Sequence, residues 1–170
     1  MSAQDRHWRE SERHPVTTED APLKEADMTI AAILHKRGDN AIISVAPDMP
    51  VRDVLSLLAD KRIGAVPVIA DERVIGIMSE RDMIYGFRRA GSDFLDQPVR
   101  EVMTTEVITV PSNTTHLEAL GMMTRRRIRH LPVIDDGVIV GFVSIGDLVK
   151  ARMEKIESEA AALREYIQTA

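Results

Sequence analysis

Read for the spacing of its apolar residues, the chain divides into two ends and a middle. Residues 1 to about 26 show no hydrophobic period. They are mostly Asp, Glu, Arg, Ser, Thr and His, broken by Pro15 and Pro22. Such a segment buries too little apolar surface to offset its ordering entropy, so a charged, flexible tail is expected over 1–26. From Leu148 to Ile167 there is no Pro or Gly. Leu148, Met153, Ile156, Ala160, Leu163 and Ile167 recur there at steps of three, four or five. That stripe predicts a long amphipathic helix at the C-terminal end, with 151–170 as an element of its own. Its apolar face needs a surface, on the same chain or on a second subunit.

The middle repeats itself. Val51, Val54, Leu55 and Leu58 lie at i, i+3, i+4 and i+7, one face of a helix, and Pro50 suits its first turn. His116, Ala119, Leu120 and Met123 form the counterpart. A short apolar strand precedes each helix, Ala41–Val45 and Val107–Val110, ended by a proline. In the first half, strand Ala65–Ala70, the turn Asp71-Glu72 and strand Val74–Met78 then read as a hairpin; the second turn is Asp135-Asp136-Gly137. A second helix begins at Ser79 or Ser144.

A shift of 65 residues lays Ile63–Ile84 on Ile128–Val149. The identities are Ile63/Ile128, Pro67/Pro132, Val68/Val133, Ile69/Ile134, Asp71/Asp136, Gly76/Gly141, Ser79/Ser144 and Asp82/Asp147. Upstream, a one-residue slip sets Pro47 on Pro111. The expected fold class is α/β (α+β), two β-α-β-β-α repeats. One repeat of roughly 60 residues buries too little surface to stand alone, so the halves should pack about a pseudo-two-fold axis. The boundaries are 27–90 for the first repeat, 91–98 for a linker with Gly91, Asp93, Asp96 and Pro98, and 99–150 for the second.

Composition narrows the chemistry. The 170 residues are 44% apolar and include no cysteine. That excludes a disulfide framework, a thiolate nucleophile and a zinc ribbon. A net charge of −5, with 22 Lys+Arg against 27 Asp+Glu, is not the basic footprint of a nucleic-acid binder. Uncharged apolar runs are strand-sized, so no membrane span is expected. The charged N-terminus lacks the apolar core of a secretory signal, and a cytoplasmic location is expected.

Catalytic candidates are few. Ser79 and Ser144 have no His or Lys nearby in sequence, and His7, His14, His35, His116 and His130 fit no zinc-protease spacing. Asp135-Asp136 sit in a turn, where acidic residues are ordinary. No glycine loop of the phosphate-cradling kind is present. No catalytic residue, metal ligand or catalytic cofactor is assigned, and the protein is not expected to be an enzyme.

The repeated motif is Gly-x-x-Ser-x-x-Asp, at Gly76–Asp82 and Gly141–Asp147. Ser with an acid three residues on is a capping box, so the motif could serve only to start a helix. The same groups could instead meet a ligand. Gly would admit close backbone approach, Ser and free first-turn amides would face an anion, and the Asp would accept from a ribose diol. A second element is Arg125-Arg126-Arg127-Ile128-Arg129-His130. It reads either as a solvated cap on the helix dipole or as a phosphate site. Nucleic acid is not expected there, because few aromatics are available for base stacking.

With the Ile-x-x-Val/Leu-Pro-Val-Ile-x-Asp segment before each motif, the chain resembles a tandem pair of cystathionine β-synthase (CBS) domains, a Bateman module, over about residues 28–150. The resemblance implies a stand-alone, non-catalytic regulatory module. It would bind AMP, ADP, ATP, NAD(H) or S-adenosylmethionine in the cleft between repeats. One site would combine Ser144 and Asp147 with Ile43, Ile63, Gly64 and Ala65; the other, Ser79 and Asp82 with Thr104, Ile108 and Ile128. Arg129 and His130 would hold phosphate, and Phe142 lies inside a motif. Gly64-Ala65 at the equivalent place in the first half would make the sites unequal. A homodimer and an unidentified protein partner are implied. The alternative is a structural adaptor whose 125–130 patch binds polyanion or a protein partner, with no nucleotide site.

Overall fold

The computed structural model describes residues 28–38 and 41–169, so the expected tail over 1–26, with His7 and His14, lies outside the described residues. The order is α1 (Ile30–Arg37), α2 (Val51–Lys61), β1 (Ala65–Ala70), β2 (Arg73–Ser79), α3 (Glu80–Ala90), two 3₁₀ turns (Gly91–Asp96 and Val99–Glu101), α4 (His116–Arg126), β3 (His130–Asp135), β4 (Val138–Ser144) and α5 (Ile145–Thr169). Both hairpins are antiparallel, with Ala65 opposite Ser79 in one and His130 opposite Ser144 in the other. Their two-residue turns, Asp71-Glu72 and Asp136-Gly137, have positive φ throughout. That is the turn hand that matches strand twist.

The expected leading strands are corrected. Ala41–Val45 and Val107–Val110 form no strand; each makes one parallel bridge, Val45 with Val68 and Val110 with Val133. Val45 N donates to Pro67 O and Ile69 N to Val45 O. The next bond on either side would need an N–H from Pro67 or Pro47, and proline has none. In the second half Pro132 blocks one side, and the Ser112 amide is drawn off to Asp135 Oδ1 at 2.9 Å. The one-residue slip also disappears. Equivalent bridges at Val45 and Val110 and equivalent helix caps at Pro50 and Thr115 keep the 65-residue offset throughout.

Packing does not follow chain order. α1, not anticipated from the pattern, buries Ile30 and Ile33 in the core of the second half, with Val110, Leu131, Val133 and Leu148. Residues 30–37, placed with the first repeat by sequence, therefore complete the other one. Reciprocally, Phe94 from the linker and Val99 from the start of the second repeat fill the first core with Val54, Val66 and Met78. Ile30 N bonds Thr114 O, and Val99 N bonds Met49 O. Each half is closed by the segment that leads into the other, so neither is an independent unit.

The predicted faces of α2 and α4 hold, except that Leu55 turns outward; the stripe predicted for the C-terminal helix is corrected, because Leu148 is buried while Met153, Ile156, Leu163 and Ile167 are exposed on another face. α5 is continuous from the second-repeat motif to the end of the described chain, 25 residues, so the separate element at 151–170 is the outer part of one helix. No helix among the described residues is long and apolar enough to cross a membrane.

Candidate functional site

The motif begins each hairpin-to-helix junction, and the capping reading holds at both. Ser79 caps α3: its Oγ accepts from Asp82 N at 3.4 Å, while Asp82 Oδ2 accepts from Ser79 N at 2.9 Å and Ser79 Oγ at 2.5 Å. At α5, Asp147 Oδ2 accepts from Ser144 N at 2.8 Å and Ser144 Oγ at 2.7 Å, and Asp147 N donates to Ser144 Oγ at 3.2 Å. Glu80 N and Ile145 N bond the carbonyls of Gly64 and Arg129. Most of the first-turn amides expected to be free are thus consumed within the fold.

The motif glycines also have a packing task. A Cβ on Gly76 would come within 2.3 Å of Met103 Sδ, and one on Gly141 within 2.4 Å of Leu34 Cδ1. They admit the side chains of the two exchanged segments.

Two cavities lie at the junction of the halves. The larger, about 670 Å³, is lined by Ile43, Ile63, Gly64, Ala65, His130, Phe142, Ser144 and Asp147, all expected site residues. The smaller, about 180 Å³, is lined by Ser79, Asp82, Thr104, Ile108, Ile128 and Arg129, with Gly64 and His130 shared between the two. The larger volume falls in the range of small-molecule sites, ~300–1,000 Å³.

Charge separates the cavities further. Arg37 and Arg62 line the larger one, beside His35 and the single described carboxylate Asp147. Arg37 donates to Phe142 O at 3.3 Å and lies 3.5 Å from Asp147 Oδ2. The smaller one mixes Arg81, Arg127 and Arg129 with Glu80, Asp82 and Glu106, a balanced set. The arginine cluster is divided at the end of α4: Arg127 and Arg129 line the smaller cavity, while Arg125 and Arg126, in the last turn of the helix, are exposed and line neither cavity.

Arg37 and Arg62 were missed by sequence reasoning. Arg37 belongs to the unforeseen α1. Arg62 had a signal, because it matches Arg127 one residue upstream of the aligned repeat. Both are left-handed C-caps, φ 53° and 55°, which turns the chain toward the cleft.

His130 stands between the cavities. Its ring stacks on Phe142 at 5.6 Å between centroids and 7° between planes. Burial holds the imidazole below its ordinary value of 6.5, and Arg129 adds to this; Asp147 and Glu80 pull the other way. The ring is therefore neutral at neutral pH and offers stacking and hydrogen bonding, without fixed charge.

The model of the CBS domain matches residues 39–88 and 99–154. Over 163 residues the chain is 32% identical to the mitochondrial CBS domain-containing protein CBSX3 of Arabidopsis thaliana, covering 89% of this chain and 79% of that one. The crystal structure of a CBS-domain containing protein from Agrobacterium tumefaciens superposes with a TM-score of 0.70 at 36% identity, over 74% of this chain and 99% of that one. A CBS domain pair solved with 5′-methylthioadenosine and S-adenosyl-L-methionine shares the fold at 20% identity and a TM-score of 0.66, over 76% of this chain and 98% of that one. The chain belongs to the CBS domain family, whose paired domains are regulatory modules.

Proposed function

We propose that the larger cleft binds an adenosine-containing nucleotide, drawn from AMP, ADP, ATP and NAD(H), with S-adenosylmethionine as a further candidate. Binding would regulate a protein partner through shape or assembly. The observation that carries this reading is the division of labour within Asp147. Oδ2 holds the helix cap, and Oδ1 accepts no hydrogen bond among the described residues. A carboxylate oxygen in the wall of a cleft also bearing Arg37 and Arg62 suits a polar sugar joined to an anion. Ile43 and Ile63 supply aliphatic walls for a flat base. The solved pair with adenosine derivatives in the same fold supports the ligand class.

The smaller cleft suits such a ligand less well, because Thr104 Oγ1 donates to Asp82 Oδ1 at 3.1 Å and fills the equivalent acceptor. The protein works as a homodimer in this reading and transmits ligand state without transforming the ligand. The polyanion alternative loses support from the divided arginine cluster.

Calorimetry of the full chain against AMP, ADP, ATP, NAD, NADH and S-adenosylmethionine tests it. At least one should bind more tightly than roughly millimolar, about −4 kcal/mol. No heat from any of the six, with no nucleotide retained on purification, overturns the reading.

A further inference from the structure

The two faces of α5 differ. Leu148 and Ala151 pack into the second core, and Lys36 of α1 holds Glu154 at 2.5 Å. On the opposite face Val149, Met153, Ile156, Ala160, Leu163 and Ile167 follow at steps of four, three, four, three and four. That is a heptad seam, with Met153, Ala160 and Ile167 at a and Val149, Ile156 and Leu163 at d. The five large side chains are exposed, from 44% at Val149 to 68% at Ile167. At 1.5 Å per residue the seam runs ~27 Å, long for an apolar stripe left in water.

The flanking charges say what covers it. Lys150, Glu157 and Arg164 occupy e; Arg152 and Glu159 occupy g. In a parallel two-stranded coil, g of one helix faces e five residues further along the other. In register, Arg152 meets Glu157 of a second copy and Glu159 meets Arg164, and the two-fold axis doubles both pairs. The alternatives fail on charge. A slip of one heptad sets Arg152 on Arg164 and Glu159 on Glu157. A fully overlapped antiparallel pair sets Glu157 on Glu157, Glu159 on Glu159 and Lys150 on Arg164. Glu159 also lies 3.8 Å from Lys155 on its own helix; the Glu159 carboxylate is the exposed member of the pair and can accept a second cation. Arg152 Nη1 is buried without a hydrogen-bond partner among the described residues.

We propose that α5 forms a parallel, in-register two-stranded coiled coil with α5 of a second copy of this chain. The body of each protomer packs on the opposite face of its helix, so both bodies stand at the same end of the coil and leave the seam clear. The inference rests on the homodimer reading and specifies its seam; it is independent of which ligand the clefts hold.

Because the chain has no cysteine, single thiols report the geometry without background. Under mild oxidation, full-length Ile156→Cys and Leu163→Cys should each form disulfide-linked dimers at least tenfold faster than Ser158→Cys, which lies at f. Leu163→Asp should raise the dimer dissociation constant at least tenfold by sedimentation equilibrium, with the body of the protomer still folded by circular dichroism. Arg164→Glu should weaken the dimer, and Glu159→Arg in the same chain should restore it. A dimer in which neither thiol couples faster than Ser158→Cys overturns the seam while leaving the homodimer reading intact. Coupling of Leu163→Cys only to Met153→Cys overturns the parallel orientation. A monomer at every concentration overturns both.

Discussion

The two clefts descend from one repeated motif and have come to differ in every property that matters to a ligand. Both contain a Ser-Asp capping box of nearly the same geometry, at Ser79 and at Ser144. One cavity is about 670 Å³ and bears Arg37 and Arg62; the other is about 180 Å³, with its arginines matched by carboxylates. Asp147 keeps an oxygen clear of the cap, whereas Asp82 gives its second oxygen to Thr104. The contrast separates two demands on the motif. Helix capping stabilises each half and is present in both. In the proposed reading ligand recognition uses one cleft, which leaves the other free to close.

The largest expected effect tests that separation directly. Asp147→Asn keeps a side-chain oxygen for the cap and removes the charge. It should weaken nucleotide binding by about 10- to 150-fold, the 1.5–3 kcal/mol of a charged hydrogen bond. Asp82→Asn should change it less than about threefold, since its second oxygen already has a partner. Calorimetry on both variants decides. Equal losses would mean that the clefts share the ligand and that their difference in size and charge carries no selectivity.

Of this contrast the sequence showed only that the sites would be unequal, through Gly64-Ala65 opposite Arg129-His130, and it pointed to the wrong cleft as the one short of cations; the local fold was far more legible, for reasons that can be stated. Hairpins, helices and caps depend on neighbours within about ten residues, so alternation, turn residues and Ser-x-x-Asp reported them. The exchanged segments depend on surfaces far along the chain. Ile30 and Ile33 sit at helical spacing in a helix of only 8 residues, and their packing partners begin at Val110. Nothing local marks them as core of the second half. The leading strands failed for a related reason: Val45 and Val110 are apolar enough for a sheet, but prolines remove the donors that would extend the ladder. The cation set of the larger cleft was half legible, through Arg62 and its partner Arg127, and half hidden in α1.

A smaller effect distinguishes the glycines of the motif from the glycine of the cleft. Gly141→Ala and Gly76→Ala push on Leu34 and Met103, the side chains that fasten the exchanged segments. Each should cost about 1–3 kcal/mol of stability, as overpacking does. Gly64→Ala meets nothing closer than 3.4 Å and should stay within about 1 kcal/mol of the parent. Denaturant unfolding of the three variants reads the difference. If Gly141→Ala melts like Gly64→Ala, the exchanged segment is not pinned at Leu34, and the reciprocal closure of the two halves is looser than their packing implies.

The smallest effect concerns His130, the titrating residue that both clefts share. His130 occupies the place held by Ala65 in the first half, so the pair differs by one titrating group. Burial keeps the imidazole below its ordinary 6.5. As pH falls, the unfolded chain takes up this proton before the folded one does. Stability attached to His130 is therefore intact above about 6.5 and is lost as pH falls below that value toward the folded pKa. His130→Gln should flatten the decline in unfolding free energy between about pH 7.5 and 5.5, a window above most of the carboxylate titrations. The imidazole resonances of the parent should show a midpoint under 6.5 in an NMR titration. A midpoint at or above that value, or an unchanged slope in the variant, would mean that the ring is hydrated between the clefts. It would then carry its proton at higher pH, between Arg37 and Arg62 of one cleft and Arg129 of the other, and both clefts would become more cationic in acid.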